Sequence, residues 1–78
     1  MTNLEKYSKA FTESFSITED KLEGLEYQSI SEWDSVGHMT LIATLEEAFD
    51  IMLDTDDIID FNSYEKGKEI LRKYDVEL

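Results

Sequence analysis

Apolar residues recur along this chain at intervals of three and four, with no sustained alternation of apolar and polar positions, so the sequence predicts helices. The first begins at Thr2, where Thr2-Asn3-Leu4-Glu5 is a capping box: threonine oxygen and glutamate carboxylate satisfy free backbone N–H groups reciprocally. Leu4, Tyr7, Phe11 and Phe15 then share one face, and the pattern fades near Ser16. Residues 17–34 break the period. They hold Gly24, several serines and scattered apolar side chains (Ile17, Leu22, Leu25, Tyr27, Ile30, Trp33), which predicts a long connection with a short helical turn near Thr18–Leu22. Its apolar residues, Trp33 above all, are expected to pin it across the bundle. An ordered connection of this length is often functional.

The clearest stripe is Val36, Met39, Ile42 or Ala43, Leu45 and Phe49. It predicts a second helix from Ser35 to Asp50, about 24 Å long, N-capped by Asp34 or Ser35. Glu46, Glu47 and Asp50 crowd its C-terminal half, where carboxylates oppose the helix dipole at about a few tenths of a kcal/mol each. A short third helix is expected from Thr55 to Asp60. A fourth runs from Asn62 or Ser63 to Tyr74, with Asn62 and Glu65 as a second capping box. Tyr64, Ile70, Leu71 and Tyr74 form its buried face, and Gly67 permits close packing. The expected fold is all-α: one small four-helix bundle over residues 1–78, with three main helices, one short helix and a long loop between the first and second.

Composition limits what such a bundle does. The 78 residues suffice for one domain. A chain this short buries only about 60% of its unfolded surface, which leaves little room for a deep active site. The 41% hydrophobic content is too high for a disordered acidic tail. The absence of cysteine excludes disulfide staples and thiolate metal sites. No apolar run approaches a membrane span and the N-terminus lacks a signal pattern, so a soluble, cytosolic protein is expected; it is also expected to be a monomer.

Charge adds a direction. The net charge is -12, and all seven basic residues lie in the outer segments. From Leu22 to Glu65 there are twelve carboxylates and neither Lys nor Arg. Such a field repels nucleic acid and anionic lipid and attracts basic protein surfaces.

The stretch with candidate chemistry is Trp33-Asp34-Ser35-Val36-Gly37-His38-Met39, followed by Leu45-Glu46-Glu47-Ala48-Phe49-Asp50. A serine at a helix start is exposed, and the adjoining backbone N–H groups favour a phosphodiester placed on it. Capping alone also explains Ser35, and the two roles coexist. In this stretch the chain resembles the acyl carrier protein family, whose signature is Asp-Ser-Leu at the start of its second helix and Leu-Glu-Glu-x-Phe about ten residues on. Asp34-Ser35-Val36 and Leu45-Glu46-Glu47-Ala48-Phe49 stand in the same register, and the long loop and short third helix match the family's layout.

The resemblance implies that a phosphopantetheinyl transferase moves 4′-phosphopantetheine from coenzyme A to Ser35, with Asp34 helping to hold magnesium during that transfer. Ser35 is then an attachment point; the thiol at the end of the arm carries an acyl group as a thioester for fatty-acid, polyketide or related acyl-transfer enzymes. Glu46, Glu47, Asp50, Asp56, Asp57 and Asp60 resemble the family's acidic recognition surface, to which partner enzymes present Arg and Lys. Val36 and Met39 add apolar contact beside the arm, although Met39 also suits a core role. Three departures mark a specialised carrier and not the general fatty-acid synthesis one: Val36 for leucine, Gly37 for an acidic residue and Thr40 for glutamate.

Other readings are weaker. A D-alanyl carrier shares the Asp-Ser start, whereas a peptidyl carrier usually has Gly-Gly-x-Ser, which Glu32-Trp33-Asp34-Ser35 is not. An unmodified acidic interaction domain is the main rival. Asp54 to Glu65 superficially suggests a calcium loop, but its fifth and sixth positions are Ile58 and Ile59 instead of an oxygen ligand and glycine. Ser35 with His38 as a hydrolytic pair lacks an orienting third group, and the lone His38 is expected to be a surface or hydrogen-bonding residue.

Overall fold

In a computed structural model covering residues 1–78, the chain folds into four helices with no strands: α1 (Asn3–Phe15), α2 (Ser35–Phe49), α3 (Thr55–Asp60) and α4 (Tyr64–Arg72). A single 3₁₀ turn, Glu19–Lys21, interrupts the long loop between α1 and α2, where the sequence placed a helical turn. The capping box at Thr2 forms as expected: Glu5 N–H donates to Thr2 Oγ1 (3.1 Å) and Thr2 N–H donates to Glu5 Oε1 (2.9 Å). These bonds hold the Glu5 carboxyl below its ordinary range. Ser16 and Asp50 stop α1 and α2 in the left-handed conformation (φ 54° and 53°), so Asp50 is the C-cap of α2 and not part of it.

Sixteen buried hydrophobic residues form one core. Tyr7, Phe11, Phe15, Trp33 and Phe61 fill its centre with rings in edge and stacked contact, such as Phe15–Trp33 at 5.3 Å and Phe11–Trp33 at 5.5 Å. Each such ring contributes roughly 1.5–3 kcal/mol by burial. Gly67 allows this packing: a Cβ there would overlap the Tyr7 hydroxyl and the Phe61 ring. Tyr7 donates to the Tyr64 carbonyl at 2.6 Å, and burial pushes its hydroxyl well above the ordinary tyrosine pKa.

The long loop is part of the core. Leu22, Leu25 and Trp33 are buried, as expected for a strap across the bundle. Its middle pairs with the chain entering α4: Tyr27 N–H donates to Asn62 O (2.8 Å) and Tyr64 N–H to Leu25 O (2.9 Å), around a lone antiparallel bridge between Glu26 and Ser63.

That pairing decides between the two expected starts of α4 in favour of Ser63. Asn62 lies before the helix with its carbonyl accepting from Tyr27 N–H, and no capping box forms with Glu65; Ser63 is the N-cap, extended at φ -159°, its Oγ accepting from Lys66 N–H at 2.9 Å. The helix also ends at Arg72, short of Tyr74, because Val76 N–H turns back to Leu71 O (3.2 Å) with Asp75 left-handed at φ 64°. Leu4 departs from the expected buried face of α1 and is 45% exposed, since the core lies under Tyr7, Ala10, Phe11 and Phe15.

The stripe on α2 is rotated from the expected one. Leu41, Ile42 and Leu45 face the core, whereas Val36 is 76% and Met39 55% exposed. Ala43 is exposed as well. The second helix therefore carries apolar residues on both faces, and a count of apolar spacing alone does not separate them.

Candidate functional site

Asp34 and Ser35 sit where the long loop becomes α2. Asp34 is the N-cap: its Oδ1 accepts from Gly37 N–H at 2.8 Å, and its Oδ2 has no protein donor. Ser35 is exposed in the first helical turn, and its Oγ lies 3.3 Å from the Tyr27 hydroxyl. The backbone N–H groups of Ser35 and Val36 donate to no protein acceptor. Two unpaired N–H groups at the positive end of a fifteen-residue helix suit an anionic group on the Ser35 oxygen. One free carboxylate oxygen suits magnesium, which typically takes one or two carboxylates plus water and substrate phosphates. The residues present thus fit both the arm and the transient metal that the resemblance implies.

Gly37 explains how the loop approaches this close. A Cβ at residue 37 would overlap the backbone carbonyl oxygen of Glu32, and a backbone atom cannot swing aside as a side chain does. Glycine at this position therefore has a packing reason.

His38 anchors the site from beneath and is half-buried. Trp33 Nε1–H donates to His38 Nδ1 at 2.9 Å, and His38 Nε2 lies 2.8 Å from the Ile58 carbonyl oxygen. Indole N–H only donates and a carbonyl only accepts, so the imidazole is neutral with its proton on Nε2. Both nitrogens are engaged away from Ser35. His38 is thus a hydrogen-bonding residue tying the loop, α2 and α3 together, and the Ser35–His38 pair lacks a free base.

A surface groove of about 340 Å³ opens beside Ser35, lined by Tyr27, His38, Met39, Ile58, Ile59, Phe61 and Asn62. Sequence reasoning found Ser35 and Met39 but missed the α3 and loop residues. The available signal was Ile58-Ile59 in so short a helix: one isoleucine has to face outward, and Ile59 is exposed. A hollow of about 420 Å³ formed by Arg72 and residues 75–78 is more polar and shares no residue with this groove.

The carboxylates expected to act together divide into two groups. Glu47, Asp50, Asp56 and Asp60 are exposed and, like Asp34, have no cation within 4.0 Å. Glu46 is half-buried, and its Oε2 accepts from Leu53 N–H at 2.9 Å, bracing the turn after α2. Asp57 does not belong to the exposed surface. It is buried, accepting from Lys73 Nζ on one oxygen and from the Tyr74 hydroxyl on the other, both at 2.5 Å. Those two hydrogen bonds hold its carboxyl below the ordinary range, and the same contact with Asp57 raises Lys73. The outer face of α2 thus runs from apolar Val36 and Met39 near Ser35 to acidic Glu47 and Asp50 at the far end.

No family model matches the chain, and no curated protein or solved structure matches it either. No helix is long and apolar enough to cross a membrane.

Proposed function

We propose that this chain is an acyl carrier: Ser35 bears a phosphopantetheine arm whose terminal thiol holds an acyl group as a thioester for enzymes that dock on the acidic face. The observation that carries the reading is the placement of Ser35. An exposed hydroxyl stands in the first turn of α2, directly after an aspartate with one free oxygen and next to two unpaired backbone N–H groups.

The transfer would proceed by attack of Ser35 Oγ on the pantetheine-bearing phosphorus of coenzyme A. The phosphoanhydride P–O bond breaks, the adenosine-bearing phosphate leaves, and the hydroxyl proton passes to a base of the transferase. The chain's own contribution is to expose the hydroxyl, supply neutral N–H donors for the resulting diester and offer one oxygen of Asp34 to the magnesium. Magnesium, when bound, would offset charge developing on the phosphates.

Tethering raises the effective concentration of the cargo at each partner's active site. Partners are held briefly, so charge that speeds encounter suits them better than a large apolar interface. The unpaired Glu47, Asp50, Asp56 and Asp60 favour partners with Arg and Lys at their docking surfaces. A second reading, an unmodified interaction domain, is favoured by the exposed Val36 and Met39 on the same outer face of α2 as Glu47, which would bind a partner without any arm. Covalent loading from coenzyme A by a broad-specificity transferase, read by intact mass with Ser35→Ala alongside, separates the two.

A further inference from the structure

We propose that the Tyr27 hydroxyl is a positioning group for the arm on Ser35: it donates to a non-bridging oxygen of the phosphodiester and lays the first segment of the arm along the apolar groove. The inference rests on the carrier reading above.

Tyr27 supplies the one side-chain polar group within hydrogen-bond reach of Ser35 Oγ. Its position is set from several sides. Its backbone N–H is bonded to Asn62 O at 2.8 Å, beside the bridge that fastens the loop to the start of α4. Its ring meets Trp33 edge-on at 6.3 Å between centroids and His38 at 5.6 Å, and both of those rings are themselves joined by a hydrogen bond. The hydroxyl therefore sits at a fixed point above the attachment oxygen, held by packing that does not involve Ser35.

Esterification changes what that hydroxyl faces. Ser35 Oγ loses its proton and becomes a poor ester acceptor, while an anionic oxygen pair arrives one bond further out. A hydrogen bond to an ionised acceptor is roughly twice as strong as a neutral one. No Lys or Arg lies between Leu22 and Glu65 in the chain, and none lines the groove, so the diester is met by neutral donors. Ser35 N–H and Val36 N–H stand on the helix side, and Tyr27 stands on the groove side. Beyond the hydroxyl lie Met39, Ile58, Ile59 and Phe61, an apolar wall suited to the methyl-bearing segment next to the phosphate. A hydroxyl that holds the phosphate toward this wall directs the arm along it and away from open solvent.

The test uses wild type and Tyr27→Phe, each loaded from coenzyme A. Phenylalanine keeps the ring and removes only the donor. The expected result is a displaced ³¹P resonance in loaded Tyr27→Phe, with weaker nuclear Overhauser contacts from the arm's methyl protons to Met39 and Ile59. The backbone amide spectrum of the unloaded variant should match wild type outside the immediate neighbours of residue 27. In wild type alone, the Tyr27 Cζ resonance should move on loading. Loaded Tyr27→Phe with an unchanged ³¹P line and unchanged contacts overturns the inference while leaving the carrier reading in place. An unmoved Tyr27 Cζ in loaded wild type does the same. Failure of folded wild type to accept the arm overturns the carrier reading and this inference with it.

Discussion

The indole N–H of Trp33 donates to Nδ1 of His38 at 2.9 Å, joining the last turn of the long loop to the first turns of α2. Trp33 is fully buried, and its N–H has no other acceptor. His38→Ala would strand that donor in the core and release the Ile58 carbonyl on the other side. An unsatisfied buried group costs about 1–3 kcal/mol, so urea unfolding of the variant should show a stability loss of that order. Loading of Ser35 should persist below the melting temperature, because neither imidazole nitrogen faces Ser35. Lost loading in a folded variant would make His38 part of the chemistry.

Gly37→Ala puts a methyl group against the Glu32 carbonyl oxygen. Overpacking of this kind costs about 1–3 kcal/mol. The strain falls on Glu32–Ser35, so amide resonances of these residues should shift most. The loading rate should fall further than in an exposed control such as Ala43→Gly, which touches neither the loop nor Ser35.

Charge reversal at Glu47 and Asp56 tests docking without disturbing internal bonds, since neither residue has a protein partner for its carboxylate. Glu47→Lys/Asp56→Lys should slow loading at low ionic strength, and the difference from wild type should shrink as salt screens the surface. Equal rates at low salt would remove the acidic face from the recognition account. Glu46→Lys would also release Leu53 N–H, so a loss of loading there mixes docking with stability.

Asp57 predicts an acid-side effect. Its folded pKa lies below the ordinary value of 3.8 because Lys73 and then Tyr74 donate to it. A carboxyl depressed on folding stabilises the fold above its unfolded pKa and loses that contribution as pH falls through the folded one. Asp57→Asn should therefore melt below wild type at neutral pH, and the gap should close as pH drops below 3.8. On the alkaline side the contribution of Lys73, fully present below 10.5, should be lost as pH rises from there through its raised folded value. Lys73 is well exposed, so water screens its share of the pair. A gap that stays constant down to low pH would contradict the ion-pair assignment.

Much of the fold was legible because local signals and packing agree. The Thr2-Glu5 box, the spacing of Tyr7, Phe11 and Phe15, and the short helix at Thr55–Asp60 each follow from neighbouring residues alone. What was not legible depends on distant partners. Asn62 reads as a cap until Tyr27 takes its carbonyl from across the chain. Asp57 reads as one more surface carboxylate until Lys73 and Tyr74 close over it. Met39 suits the core as well as the surface because α2 is apolar on two faces, and only the position of the loop shows which face is covered. In the candidate site, Asp34 and Ser35 follow from helix-capping rules, whereas Tyr27, Ile58 and Phe61 come together only when loop, α3 and α4 have been placed.

Attachment of the arm at Ser35 is read directly by mass. Wild type and Ser35→Ala, each incubated with coenzyme A, magnesium and a broad-specificity phosphopantetheinyl transferase, are compared by intact-protein mass spectrometry and peptide mapping. Wild type should gain one phosphopantetheinyl group, carried on the peptide containing Ser35, and Ser35→Ala should gain none. An unmodified wild type with several transferases, or a gain that survives Ser35→Ala, would contradict attachment at Ser35.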